Sequence, residues 1–483
     1  MTVEEDKEDL FVVTKKEQNR KVGLLVVGIV FLLMILATII GVAVYVLTDR
    51  YSADDPPSVD LQCKAKNDAC LFTLVESIPE NLTYNAGEPS HPSTFSGIQE
   101  IISKAENTIE IASFYWTMRP NDLPVTDPSS WQGEQIFKDL VFAGKEKGIK
   151  IRIVQSFQKE PVNDTIYLAK EAGAEVRSLN FDRLLHSGIL HTKMWLVDRR
   201  HFYVGSANLD WRSYTQVKEM GSIIQNCDCL AGDIGKIFDA YWYLATPESS
   251  IPSPWPPQYN TMYNISSPMV VNFNGTKYNT FLSSSPPQIC PSGRSQDGNT
   301  IVQIINNATK YVHIAVMDYF PTTQFSHPRI YWPDIDDAIR SAAFDNHVQV
   351  RLLFSYWNNT WPEMFIYLHS LQSLKYYSEF LKVNIEVKLF VVPAFTEAQK
   401  NIPYARVNHN KYMVTDKTAY IGTSNWSGDY FRTTGGIGLA IEGSNLGNQS
   451  DIRKQLASVF ERDWYSQYAF PLDHFNTTLS QSI

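Results

Sequence analysis

Two short segments of this chain carry residue types that can do chemistry together. His191, Lys193 and Asp198 stand in HTKMWLVD, and His409, Lys411 and Asp416 stand in HNKYMVTD, so the pattern H-x-K-x4-D occurs twice. Each copy has a matching tail, GSANLDW with Asn208 and GTSNWSG with Asn425. A histidine that attacks phosphorus to displace an alkoxide needs another group to protonate the leaving oxygen. Two histidines, each beside its own lysine, therefore amount to one complete phosphoryl-transfer site divided between two parts of the sequence.

Side-chain periodicity dictates the elements that must position these residues. If residues 190–197 are extended, successive side chains alternate faces. His191, Lys193, Trp195 and Val197 then share one side, and Leu190, Thr192, Met194 and Leu196 the other. His191 and Lys193 point into one cleft, whereas Asp198, of opposite parity at the strand end, orients or salt-bridges rather than acting as acid or base. His409, Lys411 and Asp416 repeat the parity, and Phe202–Val204 and Ala419–Ile421 read as return strands that deliver the asparagines.

Upstream of each motif the chain runs through the same order of patterns. GIQEIISKAENTIEIASFYW (97–116) matches NTIVQIINNATKYVHIAVMDYF (299–320), and GEQIFKDLVFAGKEKGIKIRIVQSF (133–157) matches WPDIDDAIRSAAFDNHVQVRLLFSYW (332–357). AEVRSL and IEVKLFVV follow as third strands. Strands alternating with helices, repeated once, imply a duplicated α/β architecture with a pseudo-two-fold axis. The halves are read as residues 75–246 and 299–475, joined by a Pro/Ser-rich linker over 247–298 that crosses the molecule, with a tail at 476–483.

Residues 22–47 contain no charged side chain. That run can cross ~30 Å of hydrocarbon as a helix and is longer than the ~7–15-residue apolar core of a signal peptide. Lys15, Lys16, Arg20 and Lys21 precede it and Asp49, Arg50, Asp54 and Asp55 follow. The positive-inside bias therefore leaves residues 1–21 in the cytosol and everything after a stalk at 48–74 lumenal, as in a type II membrane protein. Nine N-x-[ST] sequons all lie beyond the apolar run: Asn81, Asn163, Asn264, Asn274, Asn307, Asn358, Asn448 and Asn476 as glycosylation sites, and Asn425, which belongs to the second motif's tail and is expected to stay unmodified. All five cysteines lie there too, as an oxidising compartment requires. Cys227 and Cys229, one residue apart, would strain if joined, so each pairs with Cys63 or Cys70 and Cys290 is left free. No histidine lies near the cysteine pairs to complete a zinc cluster. The net charge of −9 is not that of a general nucleic-acid binder, so a polyanionic substrate needs a local cationic pocket or an acidic compartment.

The paired motifs and tails resemble the phospholipase D superfamily over about residues 70–470. VESIPE (75–80), ASFYW (112–116), GSANLDWRS (205–213), SSIPSPWP (249–256), FSHP (325–328) and PYARVNHNKYMVT (403–415) narrow the resemblance to its membrane-anchored lysosomal members, types three and four. The resemblance implies a duplicated phospholipase D-like fold, two pseudo-symmetric α/β halves with the active site at their interface, needing neither metal nor cofactor. It further implies a 5′→3′ exonuclease acting on single-stranded DNA and RNA in endolysosomes, with phospholipid transphosphatidylation by the same histidines as the alternative. In that scheme His191 is the nucleophile and forms a phosphohistidine, while His409 protonates the leaving 5′ oxygen and then activates water to release a nucleoside 3′-phosphate. Lys193, Asn208, Lys411 and Asn425 clamp the non-bridging oxygens. Glu219, eleven residues after Asn208, orients a catalytic histidine, and the corresponding RTTGGIGL of the second half has no acid. Phe114, Tyr115, Trp116, Tyr319 and Phe320 end strands beneath the cleft and either stack on bases or belong to the core. An inactive lumenal receptor would have lost a histidine or lysine. Homodimerisation and proteolytic release of the lumenal part are left open.

Overall fold

The computed structural model describes residues 33–38, 70–120, 123, 126–377, 382–443 and 451–475. Residues 1–62 and 63–483 are two compact units. In the first, only 33–38 are described, as helix, so the rest of the expected span over 22–47, the cytosolic tail and most of the stalk lie outside the described residues. Among the described residues no helix is long and apolar enough to cross a membrane.

In the second unit the duplication is explicit in the strand order. The first sheet contains β1 (Leu71–Ser77), β2 (Thr108–Ser113), β3 (Lys150–Ser156), β4 (Glu175–Leu179), β5 (Met194–Val197), β6 (His201–Gly205) and β7 (Glu219–Gln225), in the order β1-β7-β6-β5-β2-β3-β4. The second contains β8 (Met269–Phe273), β9 (Thr276–Ser285), β10 (Tyr311–Val316), β11 (Gln349–Ser355), β12 (Ile385–Phe390), β13 (Lys411–Thr415), β14 (Thr418–Gly422), β15 (Gly436–Gly443) and β16 (Ala469–Pro471). Its path is β8-β9-β15-β14-β13-β10-β11-β12-β16, and a short strand, Ser295–Gln296, pairs with β9. Seven consecutive strands thus occur in the same order in both sheets.

This order places β9, inside the segment expected to be a linker, where the first half has β1. The linker reading is corrected: residues 269–285 form a hairpin that pairs with β15 from Tyr278↔Gly443 to Ser285↔Gly436. Asn274 and Gly275 turn it with φ of 52° and 86°. An Asn-Gly pair with both residues left-handed makes the tight turn that matches strand twist. The flanking Pro and Ser clusters hid that signal.

Alternation along β5 sorts its side chains as the period demands. Trp195 and Val197 pack with Ile98, Ile101, Ile136 and Leu140, from α1 (Thr94–Ser103) and α2 (Trp131–Lys145). Met194 and Leu196 face a shared core with Val414, Ile421 and Leu439 of the second sheet. That core also takes Phe238 and Tyr241 from α3 (Asp228–Leu244) and Leu456 and Phe460 from α4 (Ile452–Tyr465). The sheets therefore meet across one continuous apolar interior, which makes the join between halves rigid enough to hold a site.

Cys70 and Cys227 form a disulfide that ties the start of β1 to the start of α3. Cys229 is also disulfide-bonded, and Cys63 lies outside the described residues. Cys290 is free. Replacing Cys70 and Cys227 by serine is expected to lower stability, because closing a loop across a separation of 157 residues restricts the unfolded chain; the chain-entropy limit is about 4–5 kcal/mol. Non-reducing denaturant titration of wild type and variant measures it.

His313 on β10 stacks on Phe460 of α4 with ring centroids 4.5 Å apart. Burial, with the Arg351 guanidinium second, pushes its imidazole down to about 4. Glu461 lies 3.6 Å from the ring but is itself bonded to Arg351 at 3.0 Å, which spends its charge. The fold thus prefers neutral His313, a preference fully expressed above the unfolded pKa of ~6.5 and turned into a loss of stability as pH falls from there toward 4, about 2 kcal/mol at pH 5. His313→Leu is expected to flatten the fall of Tm between pH 7 and pH 4.5, and a parallel fall in both proteins would contradict it.

Candidate active site

Each catalytic motif enters the site on a stretch fastened to the opposite half. The His191 amide donates to the Gly435 carbonyl at 2.8 Å, and the Gly435 amide donates back to Ile189 at 2.8 Å. By the same arrangement the His409 amide donates to the Lys218 carbonyl at 2.8 Å, and the Lys218 amide to Val407 at 2.9 Å. Gly435 and Lys218 immediately precede β15 and β7, so the residue leading into a strand of one half anchors the histidine of the other. The regular strands begin only at Met194 and Lys411, and His191 and His409 occupy the cross-linked approaches to them.

The two histidines are buried, with 4% and 8% exposure, and their lysines more so. Lys193 Nζ donates to the His191 carbonyl at 2.7 Å, and Lys411 Nζ to the His409 carbonyl at 2.8 Å. Their rings are held by unlike partners. His191 Nδ1 faces the Thr423 carbonyl at 2.9 Å, which can only accept, so this nitrogen carries the hydrogen. His409 Nδ1 lies 2.9 and 3.0 Å from the two oxygens of Glu219. The first half's carboxylate therefore serves the second half's histidine. The second half has no counterpart because Gly436 stands there, and a Cβ on it would meet Ser424 Oγ at 2.3 Å and Ser285 Oγ at 2.9 Å.

Electrostatics follow from burial of four basic groups together. Desolvation, then Lys193, Lys411 and His409, hold the His191 imidazole well below its usual range. His409 is lowered by burial while Glu219 pulls it back up. Lys193 is pushed well down by burial and by Lys411. Lys411 is pushed to about 7 by burial, opposed by Glu219 and Asp318. A bound phosphate anion would relieve all four.

The remaining expected residues divide. Asn208 and Asn425 are both buried, with Oδ1 atoms that have no partner, and Asn425 joins the cluster through its Nδ2, which contacts Asp318 Oδ2 at 3.3 Å and Tyr430 Oη at 3.2 Å. Asp198 and Asp416 stand outside it. Asp198 accepts from the amides of Glu106, Asn107 and Thr108 at 2.7–2.8 Å, and Asp416 from Thr309 and Lys310 at 2.6–3.0 Å. Each fastens the loop before β2 or β10 to the hairpin at the far strand end, so neither touches the reacting groups. Of the five strand-end aromatics, only Phe114 packs on a catalytic ring, 5.4 Å from His191. Trp116, Tyr319 and Phe320 are core, and Tyr115 donates to Asp210 at 2.9 Å. Sequence reasoning missed Thr423, Tyr430, whose ring meets His191 edge-on at 4.9 Å, and Asp318; only Asp318 left a signal, as an acid in one repeat and not the other.

Among the sequons, Asn81, Asn163, Asn274, Asn307 and Asn358 are exposed and Asn264 half-buried, while Asn448 and Asn476 lie outside the described residues. Asn425 is buried in the site. Asn274 caps the end of β1: its amide donates to the Phe72 carbonyl at 2.7 Å and its Oδ1 accepts from the Phe72 amide at 3.1 Å.

Two α/β halves that each deliver a His-x-Lys pair to their join define a phospholipase D-like enzyme. A family model described as PLD3/4, PLD-like domain matches residues 85–395, and the chain belongs to that family. It is similar to the 5′-3′ exonuclease PLD3 of Xenopus laevis, 51% identical over 423 residues that cover 87% of this chain and 84% of the relative. It is also similar to the 5′-3′ exonuclease PLD4 of Mus musculus, 42% identical over 414 residues covering 84% and 81%. Among solved structures, the phosphatidylserine synthase of Haemophilus influenzae Rd KW20 superposes with TM-score 0.54 at 13% identity, covering 80% of this chain and 88% of that one, a likeness of fold alone.

Proposed function

We propose that this protein is a 5′→3′ exonuclease that cleaves single-stranded DNA and RNA to nucleoside 3′-monophosphates through a phosphohistidine, without a metal ion. The similarity to exonucleases over most of the chain supports the activity, and the unlike anchoring of the two rings carries the mechanism. With Nδ1–H given to Thr423, His191 presents a bare Nε2 lone pair, and its depressed basicity keeps it neutral in acid. It forms the N–P bond as P–O5′ breaks. His409, whose proton affinity Glu219 sustains, gives its Nε2 proton to the leaving O5′. It then takes a proton from water, which attacks phosphorus and breaks the N–P bond. Lys193 and Lys411 supply the cationic charge for the non-bridging oxygens, with Asn208 and Asn425 as polar partners.

Burial of both histidines favours a flexible strand end over a duplex flank. The acid must be charged while the nucleophile is neutral, so activity is bell-shaped and confined to the acidic side, with affinity lost as Lys411 discharges above about 7. That range, the Cys70–Cys227 disulfide and the uncharged run over 22–47 support a type II anchor with the site in the endolysosomal lumen. The test presents the protein with 5′-hydroxyl single-stranded oligonucleotides and phospholipid vesicles side by side, with and without EDTA. Stepwise release of 3′-mononucleotides, slowed by a 5′-phosphate and indifferent to EDTA, is expected. Release of 5′-mononucleotides, equal cutting of circular strands, or turnover of lipid alone would overturn the assignment.

A further inference from the structure

The two half-sites differ in one acidic residue that the mechanism above does not use. In the first half Ile111 pairs with Trp195, and in the second Ile314 pairs with Met413. Counting outward from these equivalent pairs, Asp318 occupies the position of Tyr115. Tyr115 places a neutral phenol there and donates to Asp210, which is itself paired with Arg212. Asp318 is a carboxyl group 8% exposed, set among Lys411 of β13 and Asn425 and Tyr430 of the segment after β14.

We propose that Asp318 is the positioning residue of the second-half phosphate clamp: it fixes the Asn425 amide and holds the charge on Lys411, and so extends phosphodiester binding from acid toward neutral pH. This deepens, and rests on, the phosphodiesterase reading of the site. Three observations carry it. Asn425 Nδ2 donates to Asp318 Oδ2, which sets the plane of the carboxamide. Lys411 is faced by two carboxylates, Glu219 of β7 and Asp318, whereas Lys193 has Glu219 alone. Val316 pairs with Lys411 and the Met317 amide donates to the Asn410 carbonyl, so Asp318, the next residue, stands at the strand end from which Lys411 enters β13.

The order of titration fits this role. Burial raises the Asp318 carboxyl to about 6, with Lys411 opposing. Below that pH Lys411 is charged without help and Asp318 is neutral. As pH rises Asp318 ionises, and its charge then retains the Lys411 proton. Tyr430, raised by burial, stays neutral throughout. The first half, with a phenol at the same place, has no such device.

The test is Asp318→Asn in the full chain, with Asp318→Ser as a second variant and Asp318→Glu as the conservative rescue. KM and kcat on a 5′-hydroxyl oligothymidylate are measured from pH 4.5 to 7.5, and inorganic phosphate affinity is measured in parallel by thermal shift. Asp318→Asn is expected to stay within about twofold of wild type at pH 5 and to lose about tenfold in kcat/KM, through KM, by pH 7, with phosphate affinity falling at a correspondingly lower pH. Asp318→Glu restores the neutral range. A loss equal at every pH would mean a merely structural residue, and a gain at neutral pH would mean that Asp318 competes with phosphate; either overturns the proposal. If the wild-type chain binds phosphate yet cuts no oligonucleotide, the nuclease reading fails while the phosphate arm still decides the role of Asp318.

Discussion

His191→Ala and His409→Ala each lower turnover of a 5′-hydroxyl oligonucleotide by at least about 10⁴-fold, and the double variant is no slower than the slower single one. The reason is geometric. Each histidine is held on a segment hydrogen-bonded to the other half, at Gly435 and Lys218, and the charges of Lys193, Lys411 and His409 all reach His191. The rings are two members of one site, and removing either removes the same reaction path. Single-turnover rates on purified variants measure this. Retention of a few per cent by both single variants would mean two independent half-sites, which the cross-linked backbone does not allow.

Glu219→Gln should cost about 10²- to 10⁴-fold in kcat. Glu219 is fully buried, bonded to His409 through both oxygens, and the acid whose charge sustains the proton affinity of that ring. Glutamine keeps the shape and loses the charge, so His409 becomes a poorer proton carrier and its ring is less firmly oriented. The alkaline limb of the pH profile should move toward acid, because a general acid with lower affinity is protonated only at lower pH. An activated p-nitrophenyl leaving group, which needs no proton to depart, should recover most of the first step. If the variant is equally slow on that substrate, Glu219 acts elsewhere in the reaction.

Much of this site was legible in residues because the chain states it twice. The structure brings His191, Lys193, His409 and Lys411 together, and the Trp195/Val197 against Met194/Leu196 alternation is borne out in two separate core clusters. Periodicity could not show the rest. The hairpin over 269–285 was masked by its Pro and Ser neighbours, although Asn274-Gly275 marks its turn. Asp198 and Asp416 share the motif for a folding reason, since each ties a loop amide ladder to its hairpin. Glu219 was visible as an unpaired acid, but which histidine it serves depends on β7 reaching across to the other half. Thr423 contributes only a main-chain oxygen, which no residue pattern encodes.

The central claim is that His191 is the nucleophile of a single shared site. It is tested most directly by giving His409→Ala thymidine 3′-(p-nitrophenyl phosphate), a substrate whose leaving group departs unprotonated. With no base to activate water, the intermediate should persist. An alkaline quench, which preserves phosphohistidine, followed by peptide mass spectrometry should show one equivalent of p-nitrophenolate released and the nucleotidyl mass on the peptide containing His191. An adduct on any other residue, or a burst of p-nitrophenolate with no adduct on His191, would contradict the account.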